Sequence, residues 1–485
     1  MTKSVAIIGG GFAGLAAGVY LAEKGFIVNL FEKRPILGGR AYSVIDSKTG
    51  DTLDNGQHLM MGCYHHTLAF LEKIGTRSLV EFQEKMEVSF ADKAGNTYAL
   101  QCPNLPAPLH MLIGLLRLKT LDASEKWSLM KMMAGVKKLN PRELESLDSI
   151  TCEQWLTLWQ QSEECIRNFW EPLILATLNE TPQISSAQML AVVLREALLK
   201  TKEDSKMVIS KVGLSDLYTN AAQKFIEEHG GKIHLRRGVK HFFSSSQKIE
   251  KIILEDGSEY QADFYLNSSP AEAFFPLLDS QLQESNFFKA LKEMPYSPIL
   301  GVNLWFDREI TDKTFVGILD SPVHWVFNKR KVLTSESVKT LSNGWRDWGP
   351  PNFRQQRATA SDAEIGGEER QDPFIHHNNY LSLVISGAHK LKDMPAEDLL
   401  KLCLEDIRKA FPKAKEAKLL HHRILKETKA TPSFGIGSSK LRPSYETPLA
   451  NLFLAGDWTN TGLPATIEGA VKSGYEVADL IFQKV

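Results

Sequence analysis

A glycine-rich turn set between two apolar runs, at residues 5–14, constrains this chain more than any other feature. Val5, Ala6, Ile7 and Ile8 form an uncharged run of the kind buried on both faces of a parallel sheet, and Gly9, Gly11 and Gly14 follow as GxGxxG. The first glycine allows the tight strand-to-helix turn, the second lets a pyrophosphate approach the backbone, and the third lets the helix pack closely on the strand. The helix beginning with Phe12 and Ala13 then offers free N–H groups and a positive dipole end to a diphosphate. Gly25 is a C-cap after Leu15–Lys24, and Phe26–Phe31 reads as a second strand. Glu32 ends that strand 18 residues beyond Gly14, with Lys33 beside it, where an acid accepts hydrogen bonds from both ribose hydroxyls of an adenosine. Strand, glycines, helix, strand and acid in this order predict a nucleotide site rather than a bare turn.

Residues 4–22 carry no charge and could pass for a signal peptide or membrane span, but five glycines break the stretch into strand, turn and helix. At 485 residues the chain exceeds one simple core, so two or three domains are expected. A net charge of -1 provides no overall field for nucleic acid. Cys63, Cys102, Cys152, Cys165 and Cys403 are scattered without CxxC spacing, which argues against zinc and a disulfide framework and for a reducing cytoplasm. The pairs His65-His66, His376-His377 and His421-His422 place adjacent rings on diverging directions, so no metal site is read from them.

The continuation turns a dinucleotide pattern into a flavin pattern. In Leu37-Gly38-Gly39-Arg40-Ala41, paired glycines again permit close backbone approach and Arg40 can neutralise a diphosphate with a planar fork of donors. Far along the chain, Leu452–Ala455 reads as a buried strand ending in Gly456-Asp457, whose carboxylate can accept from a ribityl hydroxyl. Pro464, Ala465, Thr466 and Ile467 then open a helix, and a helix N-terminus under the flavin N1/C2=O edge stabilises the negative charge of the reduced ring.

Together these pieces resemble the FAD-dependent amine oxidase and carotenoid desaturase superfamily over nearly the whole chain, with Val212-Gly213-Leu214-Ser215 and Arg237-Gly238-Val239 as further matches in order. The nearest likeness is to the hydroxysqualene dehydroxylases of bacterial squalene and hopanoid synthesis. It is carried by Leu53-Asp54-Asn55-Gly56-Gln57-His58, Phe169–Leu173 with Leu178-Asn179, Leu304–Asp307, and Gly456–Ala470. Carotenoid desaturases tend to have proline where this chain has Gln57, and amine oxidases an aromatic cage residue at the position of Thr466, which disfavours an amine substrate here.

The resemblance implies an α/β fold: a Rossmann-like FAD-binding domain of the GR2 type interleaved with an α+β substrate domain. The expected division gives residues 1–75, 205–275 and 415–485 to the FAD domain and 76–204 and 276–414 to the substrate domain, with a flexible insertion at 331–379. Implied FAD contacts are Gly9, Gly11, Phe12, Ala13, Gly14, Glu32, Lys33, Gly38, Gly39, Arg40, Gly56, Gln57, His58, Val239, Gly456, Asp457, Pro464, Ala465, Thr466 and Ile467.

On the substrate side, Leu109–Leu121 is too short to span a bilayer, and Lys126–Lys138 interleaves Trp127, Leu129, Met130, Met132 and Met133 with lysines. Such stripes serve either a core or an interface. The family's substrate, an apolar C30 isoprenoid, resides in the bilayer, so peripheral contact with the inner face of the cytoplasmic membrane is the second expectation. Upstream squalene-pathway enzymes or an electron donor are the expected partners, since no second strand-linked GxGxxG marks a nicotinamide site.

Losing an allylic hydroxyl needs a proton on the leaving oxygen, opposite the hydride donor. His58 is the candidate acid, Asp54 its orienting partner, and Trp458 and Tyr296 candidates for lining the site and stabilising a cation. His58 as a plain core histidine and Asp54 as a turn cap remain the alternatives. A desaturase running the electrons the other way, or a non-catalytic prenyl-binding protein, would share the scaffold.

Overall fold

The computed structural model describes residues 2–333 and 379–485. Most of the span 331–379, expected as a flexible insertion, and with it His376 and His377, lies outside the described residues.

The chain has a Rossmann-like α/β fold. Five parallel strands lie in the order Lys232–Leu235, Ile27–Glu32, Ser4–Ile8, Phe264–Asn267 and Leu452–Leu454. The strand Ser4–Ile8 is central, with Ile7 between Leu30 and Leu266. Val5, Ala6 and Ile7 are fully buried, as a strand covered on both faces requires. Against this sheet the helices Phe12–Glu23 and Ile467–Gln483 meet almost backbone to backbone. A Cβ on Gly474 would stand 2.4 Å from the Ala13 carbonyl oxygen, and one on Gly14 2.1 Å from that of Gly9.

A second sheet has seven strands in the order Leu419–Pro432, Tyr296–Phe306, Asn379–Ile385, Trp325–Asn328, Phe315–Ile318, Glu87–Ala91 and Thr97–Gln101. All pairs are antiparallel except Phe315–Ile318 with Glu87–Ala91. Its period-two alternation serves two cores. Val326 and Leu383 face helix Ala396–Ala410, whose Leu399, Cys403 and Ile407 are buried against them. Phe327 and Val384 face the other way, toward the helices between Leu109 and Leu199.

This sheet runs across the expected boundary at 415. Strand Leu419–Pro432 pairs with Tyr296–Phe306 along nearly its whole length, so residues placed with the FAD domain belong to the substrate-side sheet. Its half-exposed Lys, Glu and Arg alternation gives a sequence reader little to choose between the two sheets.

Among the described residues no helix is long and apolar enough to cross a membrane. Helices Leu109–Arg117 and Ala123–Lys138, the latter opened by a capping box of Asp122 and Glu125, divide the stripes seen in the sequence. Met111, Leu115, Leu129, Met132 and Met133 enter the core, while Leu109, Leu116 and Trp127 stay outside, Trp127 being 70% exposed.

The helix contact yields a test. Gly474→Leu forces the helices apart and is expected to cost about 3 kcal/mol or more of stability, with a lowered Tm and loss of bound flavin in the purified protein; an unchanged Tm and full flavin content would contradict the close contact.

Candidate active site

Between the two sheets lies a cavity of about 1060 Å³. One end is walled by Gly9–Ala13, Glu32–Arg34 and Gly38–Arg40, all held by the parallel sheet. The rest of the wall carries the hydrocarbon side chains of Met86, Val88, Phe90, Phe169, Phe315, Trp325, Phe327 and Val384, with Arg195, Glu196 and Lys200 also on it. Gly56–Leu59, Ala430, Thr431, Gly456, Asp457 and Pro464–Ile467 border the middle.

Of the residues expected to touch a cofactor, all but Gly14 line this cavity. Gly14 instead packs its helix on the Gly9 carbonyl. Glu32 accepts from the Gly10 and Arg34 N–H groups, each at 2.9 Å, and so braces the glycine turn from within the wall. Arg40 forms an ion pair with Asp457 and donates to the Ala430 carbonyl at 3.1 Å, so part of its fork ties the two ends of the chain together. Thr466 N-caps helix Ile467–Gln483, its Oγ1 accepting from Gly469 N at 3.1 Å.

Several working residues escaped sequence reasoning. Glu468 accepts from His66 N and Nδ1 and from Thr67 N and Oγ1, at 2.7 to 2.9 Å. Burial pushes this carboxyl up, but those four donors hold it below the usual glutamate range. Arg442 is buried with no carboxylate bonded to it among the described residues. Its guanidinium donates to the carbonyls of Thr459, Leu463 and Asp457 and to Thr461 Oγ1, at 2.6 to 3.0 Å, and lies over the Phe434 ring. It thus clamps the whole loop between Asp457 and the helix start. Burial lowers its pKa to about 10, against the pull of Asp457, so it stays charged at neutral pH. Lys329, 1% exposed, donates to Asp54 Oδ2 at 2.9 Å and Gln57 Oε1 at 2.7 Å, joining the second sheet to the cavity loop.

The catalytic candidates separate. His58 lines the cavity, and its buried Nδ1 has no partner among the described residues. Burial holds the imidazole below its ordinary pKa despite the nearby Asp54, so it is mainly neutral at pH 7 and not the standing imidazolium that a ready acid would be. Asp54 is not its orienting partner. Its oxygens are taken by Ser43 Oγ, Leu214 N and Lys329 Nζ; burial raises the group, and Lys329 with the other donors brings it below the usual aspartate range. Trp458 does not line the site: it is wholly buried beside Ala6, Ile8 and Phe274. Tyr296 is also off the cavity wall. Its ring meets Lys429, and burial together with the Glu272 carboxyl holds its hydroxyl far above the usual tyrosine range.

The donor set suits a dinucleotide cofactor. His58 Nδ1, on a residue of the cavity wall, is buried without a partner among the described residues, and a buried polar atom of this kind calls for a polar ligand. The glycine turns, the helix N-terminus at Ile467 and the Glu32 carboxylate supply the chemistry that diphosphate, ring edge and ribose need.

Residues 12–482 match the family model described as flavin containing amine oxidoreductase. Hydroxysqualene dehydroxylase of Sinorhizobium fredii is 26% identical over 99% of this chain and 98% of its own length. The 15-cis-phytoene desaturase of Synechococcus elongatus is 25% identical over 99% and 96%. Among solved structures, an oxidoreductase from Methanosarcina mazei shares the fold with a TM-score of 0.70 at 16% identity, covering 98% of this chain and 100% of that one. Cyclohexylamine oxidase from Brevibacterium oxydans does so with a TM-score of 0.66 at 16% identity, covering 100% and 99%.

Two outcomes are expected from these contacts. Arg442→Met strands three carbonyls and should cost about 3 kcal/mol, seen as a lower Tm and flavin lost on gel filtration; retention of both would contradict the clamp. His324, beside the chamber, accepts from Ser386 N at 3.0 Å, and burial pushes its pKa down to about 4. Its folded value lies below the unfolded one of about 6.5. The stability it contributes is therefore complete above pH 6.5 and lost as pH falls toward 4. In His324→Gln, denaturant midpoints should fall less steeply than wild type across that window; parallel curves would contradict the assignment.

Proposed function

The chain belongs to the flavin-containing amine oxidoreductase family and is an FAD-dependent oxidoreductase, and from that premise we propose that it removes the hydroxyl group of hydroxysqualene reductively, giving squalene. The observation that carries this reading is the continuity of the cavity: nucleotide loops, a polar middle and a hydrocarbon chamber share one space.

FAD, when bound, supplies two-electron hydride chemistry. We assign its binding to the glycine turns, Glu32, Arg40, Asp457 and the helix start at Pro464–Ile467. The chain's part at the substrate end is to bind an apolar C30 chain along Phe169, Phe315 and Trp325 and to keep water from a developing allylic cation. The reaction balances as R–OH + FADH2 giving R–H + H2O + FAD, so reduced flavin would supply the hydride and one proton, and His58, facing the cavity, would pass that proton on by donating a ring N–H to the departing oxygen and being reprotonated in turn. We place the protein in the cytoplasm, in peripheral contact with the membrane face through Leu109, Leu116 and Trp127. Lys131, Lys137 and Lys138 lie on the same helix as Trp127. The reductant is assigned to a partner or a transiently bound donor.

The second reading is an isoprenoid desaturase, favoured by the phytoene desaturase relatives, which match over nearly the same share of this chain. His58 and Thr431, polar residues in the middle of the cavity that are not among those assigned to FAD binding, support an oxygen-bearing ligand over a plain hydrocarbon.

The test is a single turnover. The flavoprotein is reduced without oxygen and mixed with hydroxysqualene in detergent, while the visible absorbance of oxidised flavin and squalene mass are followed. Reoxidation with one squalene per flavin is the expected result. Flavin that stays reduced with no squalene would overturn the reading, and bleaching of the oxidised protein by a saturated isoprenoid would establish the desaturase.

A further inference from the structure

We propose that the Thr431 hydroxyl, oriented by Asn179, is the point in the chamber that recognises the single oxygen of an otherwise hydrocarbon substrate; this rests on the alcohol-substrate reading above. Asn179 follows helix Glu171–Leu178 in the left-handed region, with φ 52°, and its side chain reaches between strands. Gly387 N–H donates to Asn179 Oδ1 at 2.8 Å. A backbone N–H can only donate, so this bond fixes which way the amide points. Its Nδ2 must then donate to Thr431 Oγ1, at 2.9 Å. The Ser297 hydroxyl donates to the Asn179 carbonyl at 2.5 Å and holds the turn from the other side.

The consequence falls on Thr431. Its oxygen already accepts from Asn179, and its proton goes to no acceptor among the described residues, although the residue stands on the cavity wall. Thr177, another wall hydroxyl, spends its proton on the Leu173 carbonyl at 2.7 Å. Thr431 also follows Ala430, whose carbonyl is bonded to Arg40, so it stands at the border between the nucleotide-lined and hydrocarbon-lined parts. A fixed donor at that border favours a ligand carrying an oxygen there over one that leaves the donor unpaired. Thr431 is therefore a specificity-determining residue and Asn179 its positioning residue.

The experiment uses the oxidised, FAD-loaded protein and needs no turnover, so it stays informative even if the proposed reaction fails. Hydroxysqualene and squalene are titrated in the same detergent, and the perturbation of the flavin spectrum gives the ratio of their dissociation constants. Thr431→Val is expected to weaken the alcohol by about five- to ten-fold while leaving squalene within about two-fold. Thr431→Ser keeps the wild-type ratio. Asn179→Asp replaces the Nδ2 donor with an acceptor that captures the Thr431 proton, and loses the preference as Val does. Wild-type protein without alcohol preference, Thr431→Val with the wild-type ratio, or a ratio lost instead in Ser386→Ala, on the same wall, overturns the proposal.

Discussion

Helix Ile467–Gln483 lies so near helix Phe12–Glu23 that Gly474 has no room for a methyl group beside the Ala13 carbonyl, and the cofactor end of the cavity depends on that contact. It brings residues more than four hundred positions apart in the chain onto one wall, so the glycine turn at Gly9–Gly11 and the helix start at Pro464–Ile467 face the same space. Two charged tethers hold the arrangement. Glu468 caps helix His65–Lys73 with four hydrogen bonds, and Arg442 gathers the loop from Asp457 to Leu463. Both are buried, where the desolvation of a charge is offset only because every tether is fully hydrogen-bonded.

A second buried link joins the seven-stranded sheet to the cavity loop. Lys329 enters from the end of strand Trp325–Asn328 and bonds Asp54 and Gln57, so the loop that borders the middle of the cavity is fixed from the substrate side. Because lysine can only donate, Gln57 is held with its amide nitrogen away from Lys329. A change in the substrate chamber can thus reach the cavity loop through one ion pair.

What could be read from sequence was chemistry written in consecutive residues. The glycine turns, Glu32, Arg40 and the strand-to-helix passage at Gly456–Ile467 carry their function in local spacing, and they stand on the cavity wall. Arg442 and Lys329 gave no such signal. One is a lone arginine in a loop, and the other opens the run Lys329-Arg330-Lys331, which reads as a solvated basic surface until the fold shows which member turns inward. Asp54, Trp458 and Tyr296 stand off the cavity wall for the same reason in reverse, since their partners come from segments far away in sequence. The pairing of strand Leu419–Pro432 with the second sheet was not legible in the sequence because half-buried, charge-rich alternation fits either sheet edge.

The account's central claim is that one cavity joins the cofactor to a hydrocarbon chamber. The most direct measurement is a crystal structure of the FAD-loaded protein with bound squalene. The account predicts hydrocarbon density running from Phe169 and Phe315 to His58 and ending in contact with the flavin. Density confined to the outer surface, or a flavin separated from the chamber by protein, would contradict it.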